Sequence, residues 1–221
     1  MSSVLWFLAA SASTLAAAVS PFVVRSRLSP SGRARRAAER LPKTPVVDAA
    51  DGEVVRLVGT LELAGAPLVA PFSGRRCAHY EAVVEIPRAR GFRRFLVERK
   101  SAPFFVRDGS GRALIDDSRM IVEVVIDSYW NAQETDPETR FELERFLYGI
   151  GSNGAALLGS ANALRYSEGA LEEGELVTVI GVAASTGAAG EPQSYRVLPR
   201  QVHIRPPTGG ALFVSDALHF D

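Results

Sequence analysis

Short apolar runs separated by Gly and Pro fill the chain from Glu53 onward. Residues 53–63 are rich in Val and Leu, and Gly59 within them predicts a bulge or a close approach of two backbones. In residues 77–86 apolar and polar positions alternate, which is typical of a half-buried strand. The chain therefore begins its folded part as β-structure.

A β-hairpin is the clearest local prediction. Two apolar runs, 104–106 and 113–115, flank the sequence Asp-Gly-Ser-Gly at 108–111, whose glycines would supply the positive φ angles of a tight turn. The runs 93–100 and 120–126 predict further strands.

The pattern changes to a helical period after residue 134. Asp136 can cap a helix, Pro137 suits its first position, and Gly149 or Gly151 would end it. Strands are predicted again on both sides of Glu173 and Gly174, and near residues 195–204. The expected fold class is mainly β with one inserted helix (α+β), in an OB-like or other barrel-type domain preceded by a transmembrane helix.

The first 24 residues predict a membrane anchor. Residues 4–24 carry no charge, and 21 residues of helix span about 31 Å, enough for a bilayer core. Basic residues follow this span, which favours a soluble part in the cytoplasm, with an exported or periplasmic location as the alternative. A cleaved signal peptide is the competing interpretation. The membrane-edge basic residues are Arg25, Arg27, Arg33, Arg35 and Arg36.

Four segments follow from this reading. Residues 1–24 are the anchor, 25–48 a basic, Pro-containing linker, 49–216 the β-rich domain and 217–221 a tail.

The charge balance argues against a nucleic-acid partner, because 25 basic residues face 25 acidic ones. A local exception is the arginine-rich stretch 88–94, which with Phe92 and Phe95 suits a membrane or a protein partner. No cofactor is expected.

Cys77, the only cysteine, raises the question of a catalytic or metal site with His79 and Glu81. Alternation places the three side chains on one strand face, about 6.5–7 Å apart, too far for direct hydrogen bonds. A metal would need a bent strand and a ligand from elsewhere, for which His203 is a candidate. We therefore expect no catalytic residues, keep the three as weak metal candidates, and regard Cys77 as a buried structural residue.

Several stretches, taken in order, resemble one family. They are VRLVGTLE, the pattern P-L-x-A-P-x-S-G-x-x-C-x-x-Y, FxVxDGSGRALID, RYSEGALEEGELVTVIG and HIRPPTGGALFVSD. Together they are similar to the GIDE domain of membrane-anchored, MULAN-like E3 ubiquitin ligases, here in a short, RING-less, bacterial-type form. The matching positions are Gly59, Pro67, Pro71, Ser73, Gly74, Cys77, Tyr80, Asp108, Gly111, Gly174, Gly181, Pro206, Pro207 and Gly209.

The resemblance implies a recognition domain. A RING needs eight Cys or His ligands for two zinc ions, and the 221 residues of the sequence include one Cys and three His. Enzymatic activity is left open, with the residues favouring none. We expect a membrane-tethered protein-recognition or scaffolding domain that contacts lipid through residues 4–24 and a protein partner elsewhere. The alternatives are an accessory component of a ligase-like system and an OB-type oligonucleotide or ligand binder.

Overall fold

The computed structural model describes residues 32, 36, 40–131, 134–151, 157, 163–186 and 201–217. A 3-10 helix at Val46–Asp48 precedes twelve strands and the helix α1. The strands are β1 (Val54–Leu63), β2 (Leu68–Val69), β3 (Arg76–Pro87), β4 (Phe92–Ser101), β5 (Phe104–Asp108), β6 (Gly111–Ile115), β7 (Met120–Glu123), β8 (Ser128–Asn131), β9 (Arg165–Glu172), β10 (Leu176–Thr186), β11 (Gln201–Arg205) and β12 (Leu212–Ser215), and α1 (Pro137–Gly149) lies between β8 and β9.

Five strands close into a barrel. Their order is β1-β5-β6-β11-β10, and β10 pairs back to β1. All these pairs are antiparallel except β6 with β11. Strand β12 pairs with β10, and β7 pairs with β12, so both extend the sheet beyond the ring. The prediction of a mainly β, barrel-type fold with an inserted helix is confirmed.

Two glycines let barrel strands approach each other closely. A Cβ atom on Gly59 would lie 2.3 Å from the Arg107 carbonyl oxygen, and one on Gly181 would lie 2.5 Å from an Ile204 methyl group. The close backbone approach predicted at Gly59 is confirmed, because no larger residue fits there without moving β5.

The β5–β6 hairpin is confirmed, but the predicted role of its glycines is wrong. Neither Gly109 nor Gly111 has a positive φ angle. The Asp108 carboxylate shapes the turn by accepting hydrogen bonds from Ser110 N at 2.7 Å and Gly111 N at 3.0 Å. It also accepts one from Val46 N at 2.9 Å, which fixes the 3-10 helix to the barrel.

A second sheet lies beside the barrel. Its order is β2-β3-β9-β8, and β4 also pairs with β3. Strand β3 is buried on both faces over most of its length, contrary to the half-buried strand that its sequence predicts. One of its residues, Ala78, packs in the barrel core, while Tyr80 and Val84 pack in a second core against α1.

Helix α1 covers the second core as its sequence predicts. The Asp136 carboxylate accepts hydrogen bonds from Glu138 N and Thr139 N, and Pro137 is the first helical residue. Leu143 and Leu147 are buried one helical turn apart, so the apolar stripe faces the sheet.

The predicted anchor lies outside the described residues. So do Arg25, Arg27, Arg33 and Arg35, whereas Arg36 occupies a helical, half-buried position. Within the described ranges, no helix combines the length and the hydropathy that a bilayer crossing needs.

Candidate functional site

A groove of about 680 Å³ runs between α1, the ends of β3 and β4, and the loop that joins β2 to β3. The lining residues are Val69, Ala70, Pro71, Phe72, Ser73, Gly74, Tyr80, Glu98, Lys100, Glu138, Thr139, Glu142, Arg145, Phe146, Gly149 and Ile150. Its volume lies in the range of ligand-binding clefts, roughly 300–1,000 Å³.

The loop between β2 and β3, residues 70–75, is a compact turn. Gly74 N donates to the Ala70 carbonyl at 3.0 Å, and Ala70 N donates to the Arg75 carbonyl at 2.9 Å. Gly74 has φ of +70°, a conformation that favours glycine. These bonds give the loop one defined shape at the mouth of the groove.

Glu168 on β9 attaches this loop to the sheet. Its side chain is fully buried, and its Oε2 accepts a hydrogen bond from Phe72 N at 2.8 Å. Its Oε1 accepts a second hydrogen bond from the Ser73 hydroxyl. A buried carboxylate is costly without partners, so these donors explain how it is retained.

Arg75 supplies the positive charge for this buried group. Its guanidinium binds both carboxylate oxygens of Asp127, at 2.7 and 2.8 Å, and Glu172 Oε1 at 3.0 Å. It also lies 3.7 Å from Glu168 Oε1. The hydrogen bonds to Asp127 raise the pKa of Arg75 further, so its charge is permanent. The loop is thus held by charges from β9 and from the segment before β8.

Phe72 holds the other side of the loop through aromatic contacts. Its ring meets Phe146 at 4.8 Å between centroids, Tyr166 at 5.5 Å and Trp130 at 5.8 Å, each edge to face. Such pairs stabilise by about 0.5–1.5 kcal/mol each beyond their buried area. The groove therefore has a rigid aromatic floor that joins the loop to α1, β8 and β9.

The polar rim of the groove carries both charges. Tyr80 donates its hydroxyl hydrogen to Glu98 at 3.0 Å, and Lys100 Nζ lies 2.6 Å from the same carboxylate. Burial raises the pKa of Tyr80, so the hydroxyl stays protonated and able to donate. Helix α1 adds Glu142 and Arg145 on the opposite side. This arrangement suits binding of a polar chain with apolar anchors.

The prediction that Cys77, His79 and Glu81 share one strand face is wrong. The pairing of β3 with β9 shifts register between Cys77 and His79, so Ala78 is an extra residue in the strand. Cys77 therefore packs with Tyr80 in the second core. Within the ranges that the structure describes, no three His, Cys, Asp or Glu side chains are grouped so that they could hold a metal ion.

Each of these three side chains has its own environment. Burial raises the pKa of the Cys77 thiol to about 11, which leaves it protonated and weakly nucleophilic. Burial, with the nearby Arg99 charge, lowers the pKa of His79 to about 4, so the ring is neutral. Glu81 forms an ion pair with Arg99 at 2.7 Å.

Ser101 forms a contact that sequence spacing does not reveal. His79 Nδ1 lies 2.7 Å from its hydroxyl oxygen, because the two residues face each other across β3 and β4. A serine nucleophile needs a base that a third group orients. The second ring nitrogen of His79, Nε2, is buried without a hydrogen-bond partner among the described residues, so that third group is missing.

The structure gathers only part of the predicted motif positions at the groove. Pro71, Ser73, Gly74 and Tyr80 line it, and Cys77 lies in the core beside it. Pro67 precedes β2, and the remaining positions belong to the barrel or its turns: Gly59, Asp108, Gly111, Gly174, Gly181, Pro206, Pro207 and Gly209.

Sequence reasoning missed Glu168, Arg75 and Asp127, which hold the groove loop. No signal in the sequence pointed to them, because Glu168 and its two donors in the loop are 95 and 96 residues apart.

One family model matches part of the chain. Residues 88–195 match the model of a family described as "GIDE: E3 Ubiquitin ligase". We call this match the GIDE match. It covers just under half of the chain and confirms the resemblance stated above. The GIDE match begins in the β3–β4 turn and includes α1 and Glu168, whereas the loop 70–75 precedes it. No curated protein and no solved structure matches the chain.

Proposed function

We propose that this chain is a membrane-tethered protein-recognition or scaffolding protein, and that its partner binds in the groove beside α1. One observation carries the proposal. A loop from before the GIDE match is attached to Glu168 within it, so the motif residues Ser73 and Tyr80 line the same groove as α1. A loop that is already held in one conformation loses less conformational entropy when a partner binds, so this attachment favours a binding site.

The chemistry of the groove supports binding over catalysis. Phe72 and Phe146 offer apolar contact, and Glu98, Lys100 and Tyr80 offer hydrogen bonds in both directions. These are the ingredients of hydrophobic anchoring with polar orientation that protein-binding clefts use.

Membrane tethering is proposed from the sequence of residues 4–24 and the arginines that follow it. A related proposal concerns ubiquitin transfer. The description of the GIDE match names an E3 ligase. The 221 residues contain one Cys and three His, fewer than the eight ligands of a RING, so we propose that they act as an accessory component beside a RING that lies outside them.

A photo-crosslinking experiment tests the groove. A benzophenone amino acid at Glu138, which is exposed and lines the groove, should crosslink to a partner in native membranes, and the same group at Glu173 on a barrel turn should not. Substituting Lys100→Glu, which reverses a charge of the rim, should reduce the Glu138 crosslink. Equal crosslinking from both positions, or none from Glu138, would contradict the groove assignment.

The identity of the crosslinked partner distinguishes the recognition role from the accessory role in a ligase-like system. A RING-containing or thiol-transfer protein would support the accessory role, and any other protein would support recognition alone. A mature N-terminus that begins after Ala18, read by mass spectrometry, would remove the anchor.

An oligonucleotide or other ligand on the barrel is a second candidate. The closed strand order with one parallel pair supports an OB-like fold, whose second and third strands bind such ligands. On these strands, β5 and β6, the Arg112 guanidinium stacks 4.4 Å from the Phe105 ring centroid, and Arg107 lies beside them. Fluorescence anisotropy with single-stranded DNA at two salt concentrations tests this. Salt-dependent binding that Arg112→Gln weakens would support it.

A further inference from the structure

The turn between β3 and β4 concentrates positive charge. Residues 87–95, which we call the arginine tip, contain Arg88, Arg90, Arg93 and Arg94 and no acidic residue, in a chain whose 25 basic and 25 acidic residues balance overall. A hydrogen bond from Arg88 N to the Gly91 carbonyl at 2.9 Å closes the turn. The tip is therefore an ordered structure that presents four exposed guanidinium groups.

Among the described residues, most of these charges have no ion-pair partner. Arg94 lies 3.7 Å from Glu81, but Arg88, Arg90 and Arg93 form no ion pair with any residue in the described part of the chain. Like charges this close repel each other unless an anion or counter-ions screen them. The tip is thus arranged for an anionic partner outside the fold.

Aromatic rings accompany the arginines. The guanidinium of Arg165 on β9 stacks 3.7 Å from the Phe92 ring centroid, which adds a fifth positive charge at the tip. Phe95 is 39% exposed beside Arg94. Protein segments that bind the surface of anionic membranes typically combine basic side chains with exposed aromatic rings.

The shape of the tip distinguishes among anionic partners. It is a hairpin turn, and Arg88, Arg90 and Arg93 do not line the groove beside α1. Single-stranded nucleic acid is bound in positive grooves by successive stacked bases. Here Arg165 already stacks on Phe92, and Phe95 is the ring with appreciable exposure. A protruding turn with several cations fits a flat anionic surface better.

We propose that the arginine tip docks on an anionic lipid surface, with Arg88, Arg90 and Arg93 on the headgroups and Phe95 at the level of the headgroup boundary. This contact is separate from the groove. It adds a second attachment to the membrane and fixes the orientation of the domain, whichever partner the groove accepts.

Site-specific fluorescence on the full chain tests the proposal. Cys77 is fully buried, so Ala89→Cys in the exposed turn provides a thiol that can be labelled selectively in the folded protein. The labelled chain is reconstituted into vesicles of phosphatidylcholine alone or with phosphatidylserine, both containing a nitroxide quencher on the headgroup. We expect stronger quenching with phosphatidylserine, and loss of this excess quenching at high salt.

Neutralising the tip should abolish docking. Each arginine near an anionic surface contributes about a fivefold change in the docking equilibrium, so Arg88→Gln, Arg90→Gln and Arg93→Gln together should lower it by about a hundredfold. The matching lysine substitutions should retain docking, which also shows that the turn still folds. A control changes three exposed arginines outside the tip and the groove, Arg76, Arg119 and Arg205, to Gln.

Three results would overturn the proposal. The first is equal quenching in the two lipids. The second is an equal loss of quenching in the control variant, which would assign the effect to net charge. The third is a salt-dependent response of the label to single-stranded DNA without a response to anionic vesicles, which would assign the tip to nucleic acid. Groove crosslinking from Glu138 is unaffected by any of these, so the two proposals fail separately.

Discussion

Removal of the Glu168 carboxylate tests how the groove loop is held. In Glu168→Ala, the amide of Phe72 loses its acceptor in a buried position, which costs about 1–3 kcal/mol. The Ser73 hydroxyl loses its charged acceptor, and Arg75 loses one of three neighbouring carboxylates. Since Asp127 and Glu172 still neutralise Arg75, we expect the free energy of unfolding to fall by about 3–4 kcal/mol.

Urea unfolding of the full chain in mild detergent measures this loss. Trp130 contacts the Phe72 ring, so its fluorescence reports on the groove loop once the other tryptophan is replaced by Trp6→Phe. Glu168→Gln keeps an acceptor oxygen but removes the charge, and should cost about half as much as the Ala variant.

Glu173→Ala is the matched control, because Glu173 is exposed on the β9–β10 turn and should change stability by less than about 0.5 kcal/mol. A Glu168→Ala loss of less than about 1 kcal/mol would refute the reasoning, since a fully buried acceptor of two hydrogen bonds cannot be removed so cheaply. Unchanged Trp130 emission in a destabilised Glu168→Ala variant would show that the loop is held by its aromatic contacts instead.

Three further predictions follow from the burial and spacing of single residues. Gly59→Ala should destabilise by about 2 kcal/mol in urea unfolding, because its Cβ would lie 2.3 Å from the Arg107 carbonyl oxygen. Cys77→Ser should cost about 1–3 kcal/mol, since it buries a hydroxyl in an apolar core. The free energy of unfolding should fall as the pH is lowered from 6.5 to about 4, because His79 binds a proton at a higher pH in the unfolded chain than in the folded protein. The loss approaches about 3 kcal/mol.

Each of these predictions has its own control. Gly65→Ala, with open space around the new Cβ, should change stability by less than about 0.5 kcal/mol, and equal losses at Gly59 and Gly65 would contradict the steric argument. Cys77→Ala should match or exceed Cys77→Ser in stability. For His79, the measured quantity is the stability difference between the protein and His79→Gln; a difference that stays constant from pH 6.5 to 4 would contradict a buried neutral ring.

Local signals made parts of the fold predictable. Asp136 and Pro137 mark the start of α1 because capping and proline chemistry act within one turn of chain. The Asp108 turn was equally visible, although its carboxylate, and not glycine conformation, shapes it. Gly59 could be read as a close approach because glycine within a Val- and Leu-rich strand has few other uses.

The features that the sequence did not predict depend on contacts between residues far apart in the chain. The bulge at Ala78 arises from pairing with β9, about 90 residues later, and one extra residue reverses the face on which Cys77 lies. The partners of Glu168 are 95 and 96 residues away, and nothing near Glu168 in the chain specifies them. The short strands β2, β8 and β12 have too few residues to show a period.

Strand β3 and its partner β9 have a consequence for how the protein unfolds. Ala78 and Leu171 belong to the barrel core, while Tyr80 and Ala170 belong to the core under α1. Because the same two strands complete both cores, neither core can lose its structure while the other keeps all of its packing. We expect a single cooperative transition, in which damage to the groove lowers the melting temperature of the barrel as well.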